Sequence, residues 1–153
     1  MQSFVLDAGE NPYNVVRPGQ RPRVTLTPSM AFKDGKPFLS FSVQGGDAQD
    51  QNLLQFFLNV VEFGMDVQQA AEAANFTSYQ MQSSFGAHGA EPGRIEVMPG
   101  VPPYTREVLK KKGYQVDVVE RTYSPITAIW FDRKHGTMQG GAGDTGDDYG
   151  VAW

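Results

Sequence analysis

Apolar and polar residues alternate along the first regular part of this chain. The segment Pro37–Val43 has the two-residue period of a β-strand, with one apolar face at Leu39, Phe41 and Val43. Val24–Phe32 is another strand-like segment, and the Asp34-Gly35 pair between the two is typical of a tight hairpin turn. Because Pro28 has no N–H to donate, the first strand is expected at a sheet edge, or with a bulge at that position.

Apolar residues then recur at helical spacing. They predict a helix from about residue 48 to residue 63, with Asp47 as its N-cap; the apolar stripe is Leu53, Phe56, Phe57, Val60 and Val61. Asp66 precedes a second helix, Val67–Ala74, and Gln69 follows three residues later as in a capping box. We expect this helix pair to cover one face of the sheet.

The rest of the chain has shorter patterns. Strands are predicted at Arg94–Met98, Tyr114–Val119 and Thr127–Phe131, a helix at about Tyr104–Lys112, and a loop at Ser83–Gly93, while Phe76–Met81 could be a further strand. Both faces of Thr127–Phe131 are apolar, which indicates a central strand. The Gly- and Asp-rich tail from Met138 is expected to be solvated or covered by a partner. Strands mixed with helix pairs predict an α+β layered domain.

Composition excludes several classes of function. The net charge of -4 argues against a nucleic-acid partner, which would need clustered Lys and Arg. The basic run Lys110–Lys112 lies in the last turn of a predicted helix, where positive charge complements the helix dipole. The apolar runs Leu53–Leu58 and Ile126–Phe131 are far shorter than the ~20 residues of a membrane span, so no membrane partner is predicted. With no cysteine, the chain has no disulfide or thiolate nucleophile.

Histidines offer little catalytic chemistry. His88 and His135 both lie beside glycine in predicted loops or turns, and neither has neighbours that suggest a Ser-His-Asp triad. Two isolated histidines also argue against zinc. We interpret both as surface residues and predict no metal and no cofactor.

The pair Gly45-Gly46 lies between a predicted strand and a predicted helix. Two consecutive glycines let backbone N–H groups approach a ligand closely, and a helix N-terminus adds a positive field. This arrangement suits an anion, including the oxyanion of an acyl-transfer intermediate. It is also compatible with a tight turn that merely needs glycine flexibility. From the local sequence alone, the tight turn is the favoured interpretation.

The order of several motifs resembles one known family. The stretches are Pro18–Pro28, the hairpin Lys33–Pro37, Gln44–Gly46 opening a long helix, and Phe63–Ala71. Together they are similar to the small subunit of γ-glutamyltranspeptidases and their bacterial relatives. The likeness covers nearly all of the chain in order, and the tail matches least well.

The resemblance implies an αββα sandwich divided between two subunits. In that family a precursor cleaves itself, and the threonine at the new N-terminus is the nucleophile, with its own amine as the base. Thr25 and Thr27 lie inside a predicted strand, so the resemblance implies that the nucleophile and the first strands lie upstream of Met1. Residues 1–153 would then be one domain, a C-terminal fragment that is inactive alone.

The resemblance also assigns site residues. Gly45 and Gly46 match the glycine pair that provides the oxyanion hole. Thr25 matches the second of two serines that hold the donor's α-carboxylate, but Val24, at the first, has no hydroxyl.

Two further positions bear on substrate binding. Ser3 stands where the family has an acidic residue that contacts the donor's α-amino group. Arg21 could meet a substrate carboxylate or form a structural salt bridge. The changes at Ser3 and Val24 weaken the case for a γ-glutamyl donor, because a site built to pair buried polar groups discriminates strongly.

These observations support a hydrolase or acyltransferase for γ-glutamyl or related amides, complete only with the upstream segment. The alternative is a non-catalytic remnant that binds a ligand or a partner chain. Expected partners are a small-molecule amide and the rest of the precursor, namely the large subunit and the N-terminal strands. Because exposed sheet edges and faces favour association, we expect the isolated chain to form a homo-oligomer.

Overall fold

The computed structural model describes residues 5–9, 14–21, 24–85, 88–122 and 125–144, and this part of the chain forms two β-sheets. The strands are β1 (Ser29–Lys33), β2 (Lys36–Val43), β3 (Phe76–Ser78), β4 (Arg94–Val97), β5 (Gln115–Val118), β6 (Ile126–Asp132) and β7 (Thr137–Ala142). The helices are α1 (Gln49–Val61), α2 (Val67–Glu72) and α3 (Pro103–Lys111). Within the described residues no helix is long and apolar enough to cross a bilayer. The predicted α+β class is confirmed.

The first sheet is antiparallel, in the order β1-β2-β6-β7. Its β1–β2 hairpin is confirmed: Asp34 and Gly35 both have positive φ, 53° and 72°, as the favoured two-residue turn requires. The first strand was predicted too long, since it begins at Ser29. Pro28 cannot donate to a ladder and lies just outside the strand, and the irregular register falls between Ala31 and Phe32 instead.

The strand β6 is internal to this sheet, as predicted, with β2 on one side and β7 on the other. The tail from Met138 was expected to be solvated or covered by a partner. Residues 138–142 belong to the strand β7, in which residues 138–140 are exposed and Gly141 is buried. The glycines there serve close packing: a Cβ added to Gly141 would lie 2.7 Å from the carbonyl of Val67 in α2. Residues 145–153 lie outside the described part of the chain.

The helices α1 and α2 cover one face of the first sheet, as predicted. Their core includes Leu39, Val43, Leu53, Phe56, Val67, Ala70, Ala71, Ile126 and Ala128. Burying a large apolar side chain in such a core stabilises by about 1.5–3 kcal/mol. The opposite face of the sheet exposes large apolar side chains: Met30, Ile129 and Met138.

Two predictions about helix starts had different outcomes. The capping box is confirmed, because Gln69 N donates to Asp66 Oδ1 at 2.8 Å and Asp66 N donates to Gln69 Oε1 at 3.2 Å. The assignment of Asp47 as an N-cap is wrong. Ala48 occupies that position without a side-chain cap, and a single 3₁₀ turn, Gly46–Ala48, precedes α1.

The second sheet has the order β3-β4-β5, with β3 antiparallel and β5 parallel to β4. The helix α3 connects the two parallel strands and begins at Pro103, one residue earlier than predicted, because proline suits the first helical position. Lys110 and Lys111 lie in its last turn, as the sequence indicates.

Two glutamines of α1 fasten this second sheet to the first layer. Gln51 Nε2 donates to Ser78 O at 3.0 Å and Ser78 N donates to Gln51 Oε1 at 2.8 Å. Gln55 makes the same pair of bonds with Phe76, at 2.9 and 3.1 Å. Four helical residues advance about 6 Å and two strand residues about 6.7 Å, so the spacings match. The outer edge of β3 is therefore bonded to helix side chains.

A third glutamine repeats the arrangement on the first sheet. Gln68 Nε2 donates to Ala142 O at 2.8 Å, and Ala142 N donates to Gln68 Oε1 at 3.1 Å. This contact joins α2 to the last residue of β7.

Replacing Gln51 by methionine should weaken the attachment of β3. Methionine keeps the length and the helix propensity of glutamine, but it cannot make the two bonds to Ser78. At about 1 kcal/mol per bond, urea denaturation should give a free energy of unfolding lower by about 2 kcal/mol. Gln82→Met is the control, because that exposed side chain has no hydrogen bond within the described part of the chain. Equal effects of the two changes would contradict the role of Gln51.

The turn between β6 and β7 is built on a buried carboxylate. Asp132 Oδ1 accepts bonds from Lys134 N at 3.0 Å and His135 N at 3.3 Å, and its Oδ2 lies 2.6 Å from His135 Nδ1. The bond from the His135 ring, with the backbone bonds, holds the pKa of Asp132 below its usual value. Ionised Asp132 therefore stabilises the folded state.

Asp132→Asn should lower stability in a pH-dependent way. A depressed folded-state pKa contributes stability that is present above the unfolded value of about 3.9 and is lost as pH falls through the folded value. The difference in free energy of unfolding between the two proteins should therefore be largest above about pH 4 and shrink below it. Denaturant titrations across this range test the prediction, and a difference independent of pH would contradict it.

Candidate functional site

The pair Gly45-Gly46 follows the last residue of β2 and opens the 3₁₀ turn before α1. Gly45 has φ 136° and Gly46 has φ 59°, both in the region that side chains disfavour. Within the described residues neither amide donates a hydrogen bond, and the Gly45 carbonyl accepts one from Ala48 N at 3.2 Å. Both glycines line an open cleft of about 1640 Å³, whose walls come from the segment 24–27, the start of α1, the second sheet and the loop after β3. The glycine pair thus lies outside any strand ladder, beside a cavity.

The end of β2 is held by two side chains. Thr27 Oγ1 donates to Val43 O at 3.3 Å, and Gln49 Nε2 donates to the same carbonyl at 2.7 Å. The Thr27 bond places the segment 24–27 next to the glycine pair. Thr25 is half-buried and lines the same cleft.

Among the described residues, Thr25 is the one other predicted site residue that the structure places in the cleft. Thr25 and Thr27 precede the first strand, which corrects the prediction that they lie inside it. Arg21 is exposed and is not among the residues that line the cleft. Ser3 lies outside the described residues.

Sequence reasoning missed the loop that packs on the glycine pair. Asp47 Oδ2 accepts hydrogen bonds from Ser84 N at 2.5 Å and Ser83 Oγ at 3.3 Å, which fixes this loop to the start of α1. The ring of Phe85 lies against Gly46, since a Cβ added to Gly46 would be 2.6 Å from Phe85 Cε2. The sequence signal for this contact was Asp47, directly after the glycines. An acidic residue at that position fits a helix N-cap just as well.

The charge of the cleft is one-sided. Its charged lining residues are Asp47, Asp50 and Glu91, and none of the lining residues that the structure describes is Lys or Arg. Tyr79 also lines it; partial burial, and then its bond to Glu96 at 2.7 Å, raise the pKa of Tyr79 to about 12. Tyr79 is therefore protonated at neutral pH and cannot act as a base there.

The cationic side chain of Arg94 packs against the Tyr79 ring. Arg94 lies 4.6 Å from the centre of the Tyr79 ring and forms ion pairs with Glu91, Glu96 and Asp117 at 2.9, 2.6 and 3.1 Å. The hydrogen bond to Asp117, followed by that to Glu91, raises the pKa of Arg94. These bonds occupy the guanidinium, so we interpret the cluster as structural.

The histidines do not add chemistry to the cleft. His88 Nδ1 lies 2.9 Å from Ser83 O, and the His135 ring pairs with Asp132. Neither is among the residues lining the cleft. Across the described ranges, no three His, Asp or Glu side chains are grouped so that they could hold a metal ion.

Comparisons with known proteins identify the family of the chain. The model of the family "Gamma-glutamyltranspeptidase" matches residues 1–153. The chain is 32% identical to the glutathione hydrolase-like YwrD proenzyme of Bacillus subtilis, over 97% of this chain and 27% of that protein. It therefore spans about a quarter of the length of that relative.

Solved structures that resemble this chain include two with an overall likeness over most of its length. A structure of LmbA2991 is 36% identical with a TM-score of 0.76, covering 86% of this chain and 24% of that one. The cephalosporin acylase of Bacillus halodurans is 26% identical with a TM-score of 0.74, covering 93% of this chain and 24% of that one. With a family model that matches its whole length, this chain belongs to the γ-glutamyltranspeptidase family.

Proposed function

We propose that this chain is the C-terminal part of an amidohydrolase or acyltransferase that cleaves γ-glutamyl or related amide bonds. Gly45 and Gly46 provide the oxyanion hole, and a threonine upstream of Met1 provides the nucleophile. The observation that carries the proposal is that the Gly45 and Gly46 amides, in residues that line the cleft, donate no hydrogen bond within the described part of the chain. Family membership and the acylase-like structures support the reaction class.

The reaction divides into two acyl transfers. The threonine hydroxyl attacks the amide carbonyl carbon while the threonine α-amine takes its proton, and the carbonyl oxygen becomes an oxyanion. The Gly45 and Gly46 N–H groups donate to that oxygen, and one such donor contributes about 2.7–4 kcal/mol to the transition state. The protonated amine then gives its proton to the leaving amine. Water, or an acceptor amine, releases the acyl group from the threonine.

Several features make glycine necessary at these positions. A side chain at Gly46 would meet the Phe85 ring, and because the backbone there is left-handed, any residue with a Cβ would cost about 1–2 kcal/mol. The helix α1 adds the positive end of its dipole near the same amides. Because Asp47 is tied to the loop, its carboxylate is directed to Ser83 and Ser84. The two amides are held in place before a substrate arrives.

The rest of the enzyme would cover the bare face of the first sheet. Met30, Ile129 and Met138 are exposed there, opposite the helix-covered face. A further sheet, contributed by the rest of the enzyme and packed on this face, would complete the αββα sandwich that the family resemblance implies. In this proposal residues 1–153 form a single domain that is inactive without the upstream nucleophile.

The full-length gene product should cleave itself ahead of a threonine upstream of Met1. Mass spectrometry and N-terminal sequencing would identify two chains, and the matured protein should release amines from amide substrates. An intact precursor without amidase activity would contradict the proposal and favour a non-catalytic module that binds a ligand or a partner.

Gly46→Ala in the matured protein should lower kcat by about 10²–10³-fold, because moving the backbone removes one oxyanion donor. Gly64→Ala is a matched control: Gly64 also has positive φ, 67°, but an added Cβ there would meet nothing within 4 Å. Both changes carry the cost of a left-handed alanine, so the difference between them isolates the site. Equal kcat values for the two variants would contradict the oxyanion role.

A further inference from the structure

We infer that the substrate's acyl group is neutral and apolar, and that Phe85 forms the wall on which it binds. This inference rests on the proposed amidohydrolase function and narrows its substrate class. Two features carry it, namely the large apolar side chains that line the cleft and the fixed position of the Phe85 ring against Gly46. In addition, the described lining residues include no cation that would pair with an acyl carboxylate.

The apolar lining consists of exposed side chains. Val24, Leu26 and Met81 line the cleft with 61%, 77% and 80% of their surfaces exposed, and Phe85 lines it beside Gly46. Large apolar side chains left open in a cavity mark a place where apolar ligand surface is buried. An acyl chain that leaves a carbonyl carbon held at Gly45-Gly46 would meet the Phe85 ring first, because that ring lies against Gly46.

The charges of the cleft disfavour an anionic acyl group. Asp47, Asp50 and Glu91 line the cleft, Glu91 is paired with Arg94 at 2.9 Å, and the described lining residues include no cation. A glutaryl carboxylate, or the α-carboxylate of a γ-glutamyl group, would lose water here without gaining a positive partner among the described lining residues. A neutral acyl chain avoids this penalty.

Phe85 is fixed next to the reacting carbonyl by Asp47. The Asp47 carboxylate holds Ser83 and Ser84, the two residues before Phe85, and Phe85 N donates to Ser83 Oγ at 3.1 Å. The Phe85 ring edge then contacts Gly46. We interpret Phe85 as a specificity-determining residue and Asp47 as the positioning residue that orients it.

The matured full-length protein should be assayed with five p-nitroanilides: acetyl, hexanoyl, phenylacetyl, glutaryl and γ-glutamyl. We expect kcat/KM for hexanoyl and phenylacetyl to exceed that for glutaryl and γ-glutamyl by about tenfold or more. A matured, active enzyme that prefers glutaryl or γ-glutamyl overturns this inference and leaves the proposed function standing. A precursor that never matures overturns the proposed function itself.

Substitutions at Phe85 and Asp47 test whether these residues determine the preference for apolar acyl groups. Phe85→Ala should lower kcat/KM for phenylacetyl and hexanoyl by about tenfold, mainly through KM, with a smaller effect on acetyl. Asp47→Ala should give the same selective loss, because the ring is no longer held. Phe63→Ala is the control, since Phe63 is an exposed aromatic residue that does not line the cleft. An equal loss for all donors in Phe85→Ala, with self-cleavage intact, would overturn the role of Phe85.

Discussion

The attachment of β3 to α1 by Gln51 and Gln55 is the constraint on which the cleft depends. The second sheet has its own strand ladder, and these glutamines bond the free edge of β3 to the helix that begins just after the glycine pair. One wall of the cleft carries Gly45-Gly46 and the other carries the residues that follow β3. Apart from the glutamine bonds, the two walls are joined by the hydrogen bonds that Asp47 accepts from Ser83 and Ser84 and by the chain connections.

The site follows from the same geometry. A strand ends at Val43, whose carbonyl accepts two side-chain bonds, and a helix begins six residues later. In the short span between them, two glycines with positive φ turn the chain and leave their amides outside the sheet. Asp47 then draws the Phe85 loop over the turn. Backbone donors, a helix N-terminus and an apolar wall are thereby brought to one place.

Local sequence chemistry predicted the parts of the fold that depend on a few neighbouring residues. The Asp34-Gly35 turn and the Asp66–Gln69 capping box are fixed by the conformations and bonds of their own residues. The strand β7 was missed because Gly140 and Gly141 indicate a loop locally, whereas the close approach of α2 makes glycine necessary at Gly141. That approach is a tertiary contact, 74 residues away in sequence at Gln68–Ala142.

The candidate site, like the fold, was predicted where it depends on local sequence and missed where it depends on tertiary contacts. The glycine pair was visible because it lies between two periodic patterns, and the family resemblance gave it a role. The partners of Gln51, Gln55 and Asp47 were not visible, since exposed polar side chains near a helix start are most simply interpreted as solvated or as caps. Each of these side chains bonds a segment about 20 residues or more away in sequence.

The most direct measurement is a crystal structure of the matured full-length protein with an acyl boronic acid bound to its nucleophile, a mimic of the tetrahedral intermediate. The account predicts one boronate oxygen within about 2.7–3.1 Å of both the Gly45 and the Gly46 nitrogen atoms. A boronate whose oxygens contact side chains or solvent, with both glycine amides directed elsewhere, would contradict it.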